Sequence, residues 1–145
     1  MNTISAPDII EDTRALGALV REYMDAEVAN FNARNNQNLD PADFVAETME
    51  HLPDFLPPKG RFFLAHDAGG ALIGMVCWKG IGPGKGEVKR LYVTPAARGA
   101  GVAHGLMDAL IERAQKEGLS TLLMDVGRHL TGACLLYTSP SPRDS

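Results

Sequence analysis

The sequence predicts one mixed α/β domain, because three patterns follow one another along its 145 residues. Two helical patterns come first, then three strand patterns separated by short turns, and last a strand–helix–strand crossover. Strands joined by short turns are antiparallel neighbours, whereas strands joined through a helix run parallel. We therefore expect a mixed sheet with helices packed against it.

The composition of the chain supports a single folded domain and argues against nucleic-acid-binding and membrane-spanning proteins. With 45% hydrophobic residues the chain can bury a single core. A net charge of −4 argues against a nucleic-acid partner, which usually needs a basic surface. No apolar run approaches the ~20 residues that span a bilayer, and the first residues, MNTISAPD, lack a signal-peptide pattern. We expect no membrane partner and a cytoplasmic location.

The first third of the chain is predicted to be mainly helical. Residues 3–6 are predicted as a short strand. Asp8 followed by Glu11 resembles a capping box ahead of an apolar stripe, which predicts a helix over about residues 9–29. The asparagine-rich residues 30–38 are predicted as a loop.

Asp40 and Pro41 mark the start of a second helix, since Asp is a favoured N-cap and Pro is favoured at the first helical position. That helix is predicted to end near Pro53.

The middle of the chain is predicted as a three-stranded meander. Strand patterns cover residues 61–66, 71–79 and 86–93. Residues 67–70 and 80–85, rich in glycine, are predicted to form the connecting turns.

A crossover completes the predicted sheet. An amphipathic helix is expected over about residues 102–117, with Gly118 at its C-terminal end, followed by a strand at 122–126 parallel to residues 86–93. Residues 129–133 are predicted to begin another helix.

The candidate ligand site lies between the third strand of the meander and the crossover helix. Arg98, Gly99 and Gly101 form a loop that leads into the helix. Glycines let the backbone approach a ligand closely, and unpaired N–H groups at a helix start attract anions. This arrangement predicts a pyrophosphate-binding loop.

Two familiar phosphate motifs fit this loop poorly. A Walker-type loop needs Gly-Lys-Ser/Thr, but Val102 and Ala103 follow Gly101. A Rossmann dinucleotide site would use Gly99, Gly101 and Gly105, with Asp125 on the ribose, yet Gly99 lies six residues beyond the strand and the preceding strands are antiparallel. The Rossmann interpretation stays a remote alternative.

The pattern Val93-x-x-x-x-Arg98-x-x-Gly101-x-Ala103 resembles the acetyl-CoA signature, Q/R-x-x-G-x-G/A, of the GNAT-type N-acetyltransferase superfamily. Residues 52–60, residues 62–78 and the strand GEVKRLYV are also similar to one bacterial branch of that family. The resemblance covers about residues 3–133.

The resemblance implies transfer of an acetyl group from acetyl-CoA to a primary amine of a small molecule or peptide. Backbone N–H groups at the loop would bind the CoA pyrophosphate, and the end of the preceding strand would bind the pantetheine arm and stabilise the oxyanion. The pyrophosphate set is Arg98, Gly99, Ala100, Gly101, Val102 and Ala103, and the pantetheine set is Leu91, Tyr92 and Val93. No metal is expected, and a homodimer is left open.

Glu87 matches the position where several family members place a general base, which would take a proton from the acceptor ammonium. The alternative is a solvated strand glutamate that pairs with Lys89. Cys77 is expected to be a buried, unreactive thiol. A different class of function also stays open: a non-catalytic acyl-CoA-binding module that keeps the loop without the chemistry.

Residues 134–145 are expected to be a non-native tail, because they resemble a translated sequencing adapter. On this interpretation residues 1–133 form one incomplete domain without the last helix and strands of the family, and the fragment itself can be inactive. Tyr137 falls in the family's A-x-x-L-Y register, where a tyrosine often acts as general acid, but we attribute it to the adapter.

Overall fold

The computed structural model describes residues 1–125 and 131–135, with Asp125 and the second range described as backbone only. The helices are α1 (Thr13–Asn35), α2 (Pro41–Glu50) and α3 (Val102–Lys116), with 3₁₀ turns at Leu52–Phe55 and Pro95–Ala97. The strands are β1 (Thr3–Ser5), β2 (Gly60–His66), β3 (Leu72–Gly82), β4 (Lys85–Val93), β5 (Thr121–Asp125) and β6 (Thr131–Leu135).

The described strands form one six-stranded sheet in the order β1-β2-β3-β4-β5-β6. Every neighbouring pair is antiparallel except β4 and β5, which are joined through α3 and run parallel. The predicted mixed α/β fold, with its meander and parallel crossover, is therefore confirmed.

Alternating side chains of the central strands fill two hydrophobic cores on opposite faces of the sheet. Phe62 and Met75 pack with the apolar stripe of α1, whereas Phe63 and Trp78 pack with α3. Five apolar residues of α3 were predicted to face the core. Four of them, Val102, Leu106, Leu110 and Ala114, are buried, and Ala109 is half-buried against the same core. The sheet is thus covered on both faces.

Helix α1 starts later and ends later than predicted. Asp12, and not Asp8, is its N-cap, with the Asp12 carboxylate accepting from the Ala15 N–H at 2.9 Å. Asp8 instead lies 3.4 Å from the buried Arg61 guanidinium, a contact that sequence spacing does not reveal. At the other end the helix continues to Asn35, so residues 30–35 are not a loop.

The asparagines in the last turn of α1 and at its C-cap stabilise the end of the helix instead of interrupting it. The Asn32 side chain binds both the N–H and the C=O of Leu39 at 3.0 Å, which closes the connection to α2. Asn36 adopts the left-handed conformation that ends the helix, with φ of 52°. Asn side chains can hydrogen bond to nearby backbone groups, which explains why an asparagine-rich stretch can form the end of a helix.

Two further boundaries differ from the prediction. Helix α2 begins after the expected N-cap Asp40 but ends at Glu50, before the separate 3₁₀ turn. Strand β3 extends to Gly82, which pairs with Lys85, so the turn predicted at 80–85 is confined to residues 83 and 84.

The predicted helix at 129–133 is wrong where it can be compared. Residues 131–133 belong to β6, which pairs antiparallel with β5 through registers such as Leu123 with Ala133. These residues form a strand because they hydrogen bond to β5, and the local spacing of apolar residues cannot indicate that pairing. His129, Tyr137 and most of the expected tail lie outside the described residues.

Candidate functional site

The C-terminal half of β4 has a flank that no described strand occupies. Pairing with β5 runs from Lys85 with Thr121 to Val88 with Met124, but β4 continues for five more residues to Val93. Backbone N–H and C=O groups on that flank of β4 have no strand partner within residues 1–125 and 131–135, and we call it the free flank of β4. An extended ligand arm could hydrogen bond to them as an added strand would.

A β-bulge changes the geometry of this half of β4. Lys89 pairs with Cys77 and Tyr92 pairs with Met75, so Arg90 and Leu91 together oppose Val76. Arg90 has a φ of +60°, in the left-handed region, which costs roughly 1–2 kcal/mol for a residue with a side chain. The bulge takes Arg90 and Leu91 out of the regular ladder, which resumes at Tyr92.

A pocket of about 370 Å³ lies where β4 leads into α3. A 3₁₀ turn carries the chain from Thr94 to Arg98, and the loop then enters the helix at Gly101. The pocket is lined by Val93, Ala97, Arg98, Gly99, Gly101, Val102, Ala103 and His104. Six of the nine predicted CoA-binding residues are in that set. Leu91, Tyr92 and Ala100 are not.

The two loop glycines have a conformational role and leave space beside the backbone. Gly99 and Gly101 have φ of +86° and +77°, values that favour glycine. A Cβ added at either position would meet no atom within 4 Å. The glycines therefore do not serve close packing within the protein, and a ligand could approach the backbone here.

The start of α3 offers unpaired N–H groups to this pocket. The first N–H groups of an α-helix have no partner within the helix, and no side chain caps α3 at Gly101. The helix dipole adds partial positive charge at the same end. Together these features make a site suited to an anionic group such as pyrophosphate.

Arg98 lies at the edge of the pocket with its guanidinium bound to β4. Its Nε donates to the Val93 carbonyl at 3.0 Å, and its Cζ lies 5.4 Å from the centroid of the Tyr92 ring. Arg98 is exposed, so the remaining guanidinium N–H groups can reach solvent or a ligand.

Tyr92 connects β4 to helix α1. Its hydroxyl donates to Glu22 Oε2 at 2.8 Å, and its ring contacts Tyr23 edge-on with centroids 5.7 Å apart. Desolvation, together with the hydrogen bond to Glu22, raises the pKa of the Tyr92 hydroxyl. The predicted pantetheine strand is therefore tied to the helix on the opposite side from α3.

Glu87 lies on β4 between neighbours on both sides, paired in register with Lys79 and Leu123. Its carboxylate is 3.7 Å from Lys89 Nζ, and its side chain is 39% exposed. Strand rise places Glu87 about 20 Å from Val93.

Cys77 is a buried free thiol on β3, as expected. Burial raises its pKa from an ordinary 9.0 to about 12, and its Sγ donates to the Lys89 carbonyl at 3.4 Å. The thiol therefore stays protonated near neutral pH and is a poor nucleophile.

Arg90 was not predicted as a functional residue. Its guanidinium binds the buried Thr48 hydroxyl of α2 and lies over the Phe55 ring. No sequence signal marks a left-handed arginine, because that conformation usually indicates glycine or asparagine.

The described residues contain no cluster of three His, Cys, Asp or Glu side chains that could hold a metal ion. None of the helices in the described part of the chain is long and apolar enough to cross a membrane. The Rossmann alternative does not hold, because β2, β3 and β4 are antiparallel and a 3₁₀ turn separates the loop from its strand.

Comparison with known proteins agrees with this geometry. Residues 18–139 match the model of the acetyltransferase (GNAT) family. The chain is 33% identical over 138 residues to an uncharacterized N-acetyltransferase of Schizosaccharomyces pombe, covering 94% of this chain and 80% of that protein.

Two solved structures share the fold at lower identity. PaiA N-acetyltransferase from Thermoplasma acidophilum, in complex with coenzyme A, superposes with a TM-score of 0.66 at 23% identity over 87% of this chain and 80% of that one. A predicted acetyltransferase from Clostridium acetobutylicum with acetyl-CoA gives a TM-score of 0.63 at 17% identity, over 89% and 83% of the two chains.

Proposed function

The chain belongs to the acetyltransferase (GNAT) family, and from that membership we propose that it transfers an acetyl group from acetyl-CoA to a primary amine by direct attack in a ternary complex. The observation that carries the proposal is the pocket between Val93 and the uncapped start of α3, next to the free flank of β4. The anion site at the start of α3 suits the pyrophosphate of CoA, and the free flank of β4 suits its pantetheine arm.

Residues 98–103 would hold the pyrophosphate through backbone N–H groups, helped by the α3 dipole. The backbone of Leu91, Tyr92 and Val93 would hydrogen bond to the pantetheine arm along the free flank of β4. Binding along this strand would bring the thioester toward Glu87. Much of the rate would then come from proximity and orientation.

The reaction would proceed through a tetrahedral intermediate. Glu87, directly or through a water, takes a proton from the acceptor ammonium, and the neutral amine forms a C–N bond to the thioester carbon. An N–H near Leu91 and Tyr92 stabilises the oxyanion. The intermediate collapses with cleavage of the C–S bond, and the proton that leaves the attacking nitrogen passes to the CoA thiolate, giving an acetamide and free CoA.

The proposal includes a small-molecule or peptide amine as acceptor, a cytoplasmic location, and no metal, nucleic acid or membrane partner. An acidic protein favours a cationic acceptor, in agreement with an ammonium substrate. A homodimer is compatible with this function.

The first test separates binding from chemistry. Calorimetry with CoA should show saturable binding, and a thiol-release assay with acetyl-CoA plus lysine, spermidine or tryptamine should show amine-dependent release of CoA. Failure of CoA and acetyl-CoA to bind the folded protein would refute the proposal.

A non-catalytic acyl-CoA-binding module is the second candidate, and the Glu87–Lys89 ion pair favours it, because a paired, partly exposed glutamate needs no catalytic role. Binding without thiol release across a broad amine panel would favour this candidate.

A further inference from the structure

The bulge in β4 depends on an unfavourable backbone conformation. Arg90 has a positive φ, although most residues with a positive φ in the described part of the chain are glycines. A residue with a side chain holds such a conformation when surrounding contacts over-determine it. The contacts of Arg90 should therefore reveal what keeps the bulge in place.

Those contacts converge on helix α2. Arg90 Nε and Nη2 both donate to Thr48 Oγ1, at 3.1 and 2.8 Å. The Thr48 hydroxyl donates in turn to the Phe44 carbonyl at 2.9 Å, and Thr48 is only 1% exposed. A hydroxyl has one proton and two lone pairs, so this oxygen is fully used.

The Arg90 guanidinium also packs on an aromatic ring. Its Cζ lies 5.4 Å from the centroid of Phe55, in the 3₁₀ turn after α2, and Phe55 is buried. Within the described part of the chain, no carboxylate lies within ion-pair distance of Arg90. The arginine is therefore fixed by directional contacts on two sides, from Thr48 and from Phe55.

We propose that Arg90 is a positioning residue: its attachment to Thr48 and Phe55 fixes the β4 bulge, so that a backbone N–H near Leu91 and Tyr92 points at the thioester carbonyl of acetyl-CoA. The inference rests on the proposed function, because it assigns a role within that site. Arg90 acts through the backbone and does not touch the acetyl group. CoA has no acetyl group, so its affinity should not depend on the hydrogen bond to the thioester carbonyl.

The test is infrared spectroscopy of acetyl-CoA carrying a ¹³C label at the carbonyl, with calorimetry of CoA in parallel. In the wild-type protein the bound thioester carbonyl should absorb at a lower frequency than in free acetyl-CoA, because it accepts a hydrogen bond. Thr48→Val and Arg90→Gly should each lose most of that shift. Acetyl-CoA affinity should fall about fivefold, while CoA affinity stays within about twofold.

Matched variants separate positioning from general destabilisation. Arg90→Gly permits the left-handed backbone while removing the guanidinium, so a bulge that needs only the backbone conformation would keep the shift. Thr48→Ser keeps the hydroxyl and should keep the shift. Arg113→Ala removes a more exposed guanidinium in the last turn of α3 and should change neither affinity.

The outcomes are distinct. A carbonyl shift that persists in both Thr48→Val and Arg90→Gly overturns the positioning role and leaves the proposed function intact. A wild-type complex without any shift also overturns it. If the wild-type protein binds neither CoA nor acetyl-CoA, the proposed function fails, and this inference fails with it.

Discussion

Gly74→Ala should weaken CoA binding, because the added methyl group contacts α3, on the face of the sheet opposite to α1. Gly74 lies on β3 opposite Val93. An added Cβ would be 3.1 Å from Leu106 Cδ1, 3.2 Å from Val102 Cγ1 and 3.3 Å from the Tyr92 carbonyl oxygen. Two of these atoms belong to α3, and Val102 also lines the pocket. The extra methyl group should push the start of α3 away from the sheet.

The cost follows from how far the neighbours must move. All three distances are shorter than ordinary van der Waals contact, so each neighbour must yield by a few tenths of an ångström. Overpacking of this kind costs about 1–3 kcal/mol, and the lower entropy of the unfolded alanine chain offsets about 0.4–1 kcal/mol. We expect a net loss of about 1–2 kcal/mol, or a decrease in Tm of about 3–6 °C.

Thermal unfolding and CoA calorimetry on the same samples would check this expectation. CoA affinity should fall by about two- to tenfold, because the helix N–H groups move relative to the loop. Gly17→Ala is the matched control: its nearest outside atom is Met49 Cε at 4.0 Å, and it lies within α1. That control should gain about 1 kcal/mol of stability and bind CoA normally. Unchanged Tm and CoA affinity in Gly74→Ala would refute the packing argument.

Three further predictions concern single side chains. Glu87→Gln should reduce turnover about 100-fold while CoA affinity is retained; turnover equal to wild type from about pH 6 to about pH 9 would exclude a general base. Cys77 has a folded pKa of about 12, above its unfolded value, so its contribution to stability is complete below about pH 9 and lost as pH rises toward 12. From about pH 9 to about pH 10.5 the wild type should lose about 2 kcal/mol more than Cys77→Ala in urea unfolding, and parallel curves would contradict the pKa. Glu117→Gln should lower stability by about 1–2 kcal/mol, because Arg61 is 6% exposed and its Nε lies 2.7 Å from Glu117 Oε2; a chemical denaturation midpoint equal to wild type would contradict a structural role for this pair.

Local sequence signals were sufficient to predict the meander and helix α3. The turn at residues 67–70 closes through Asp67, whose carboxylate accepts from the N–H groups of Gly69 and Ala71. Such contacts span only a few residues, so the sequence displays them directly. Helix α3 was predictable for a similar reason, since its buried face repeats at helical spacing.

Features that depend on distant partners were missed. Asp8 and Asp12 are both acceptable N-caps by sequence, and the contact of Asp8 with Arg61, 53 positions away, accompanies the later start. The strand at 131–135 depends on pairing with β5. Arg90, in the bulge, contacts Thr48 and Phe55, and no residue next to Arg90 in the sequence indicates the bulge.

The same distinction between local and distant contacts applies to the candidate site. Residues 98–103 were predicted as a loop because the glycines and the helix start lie together in sequence, and the pocket is found there. The contacts that hold β4 from the other side are between residues far apart, such as Tyr92 with Glu22. The catalytic assignment of Glu87 stays a prediction.

If acyl-CoA binds along the free flank of β4, as proposed, the stability of the folded chain depends on the concentration of that ligand. A ligand that binds only the folded state stabilises it by mass action, by about 2.7 kcal/mol at a concentration 100 times Kd. Since domains are stable by only about 5–15 kcal/mol in total, that contribution is large. On the proposed function, resistance to intracellular proteolysis would rise and fall with the acyl-CoA supply. The amount of this protein in a cell would then report on carbon metabolism even when its gene is expressed at a constant rate.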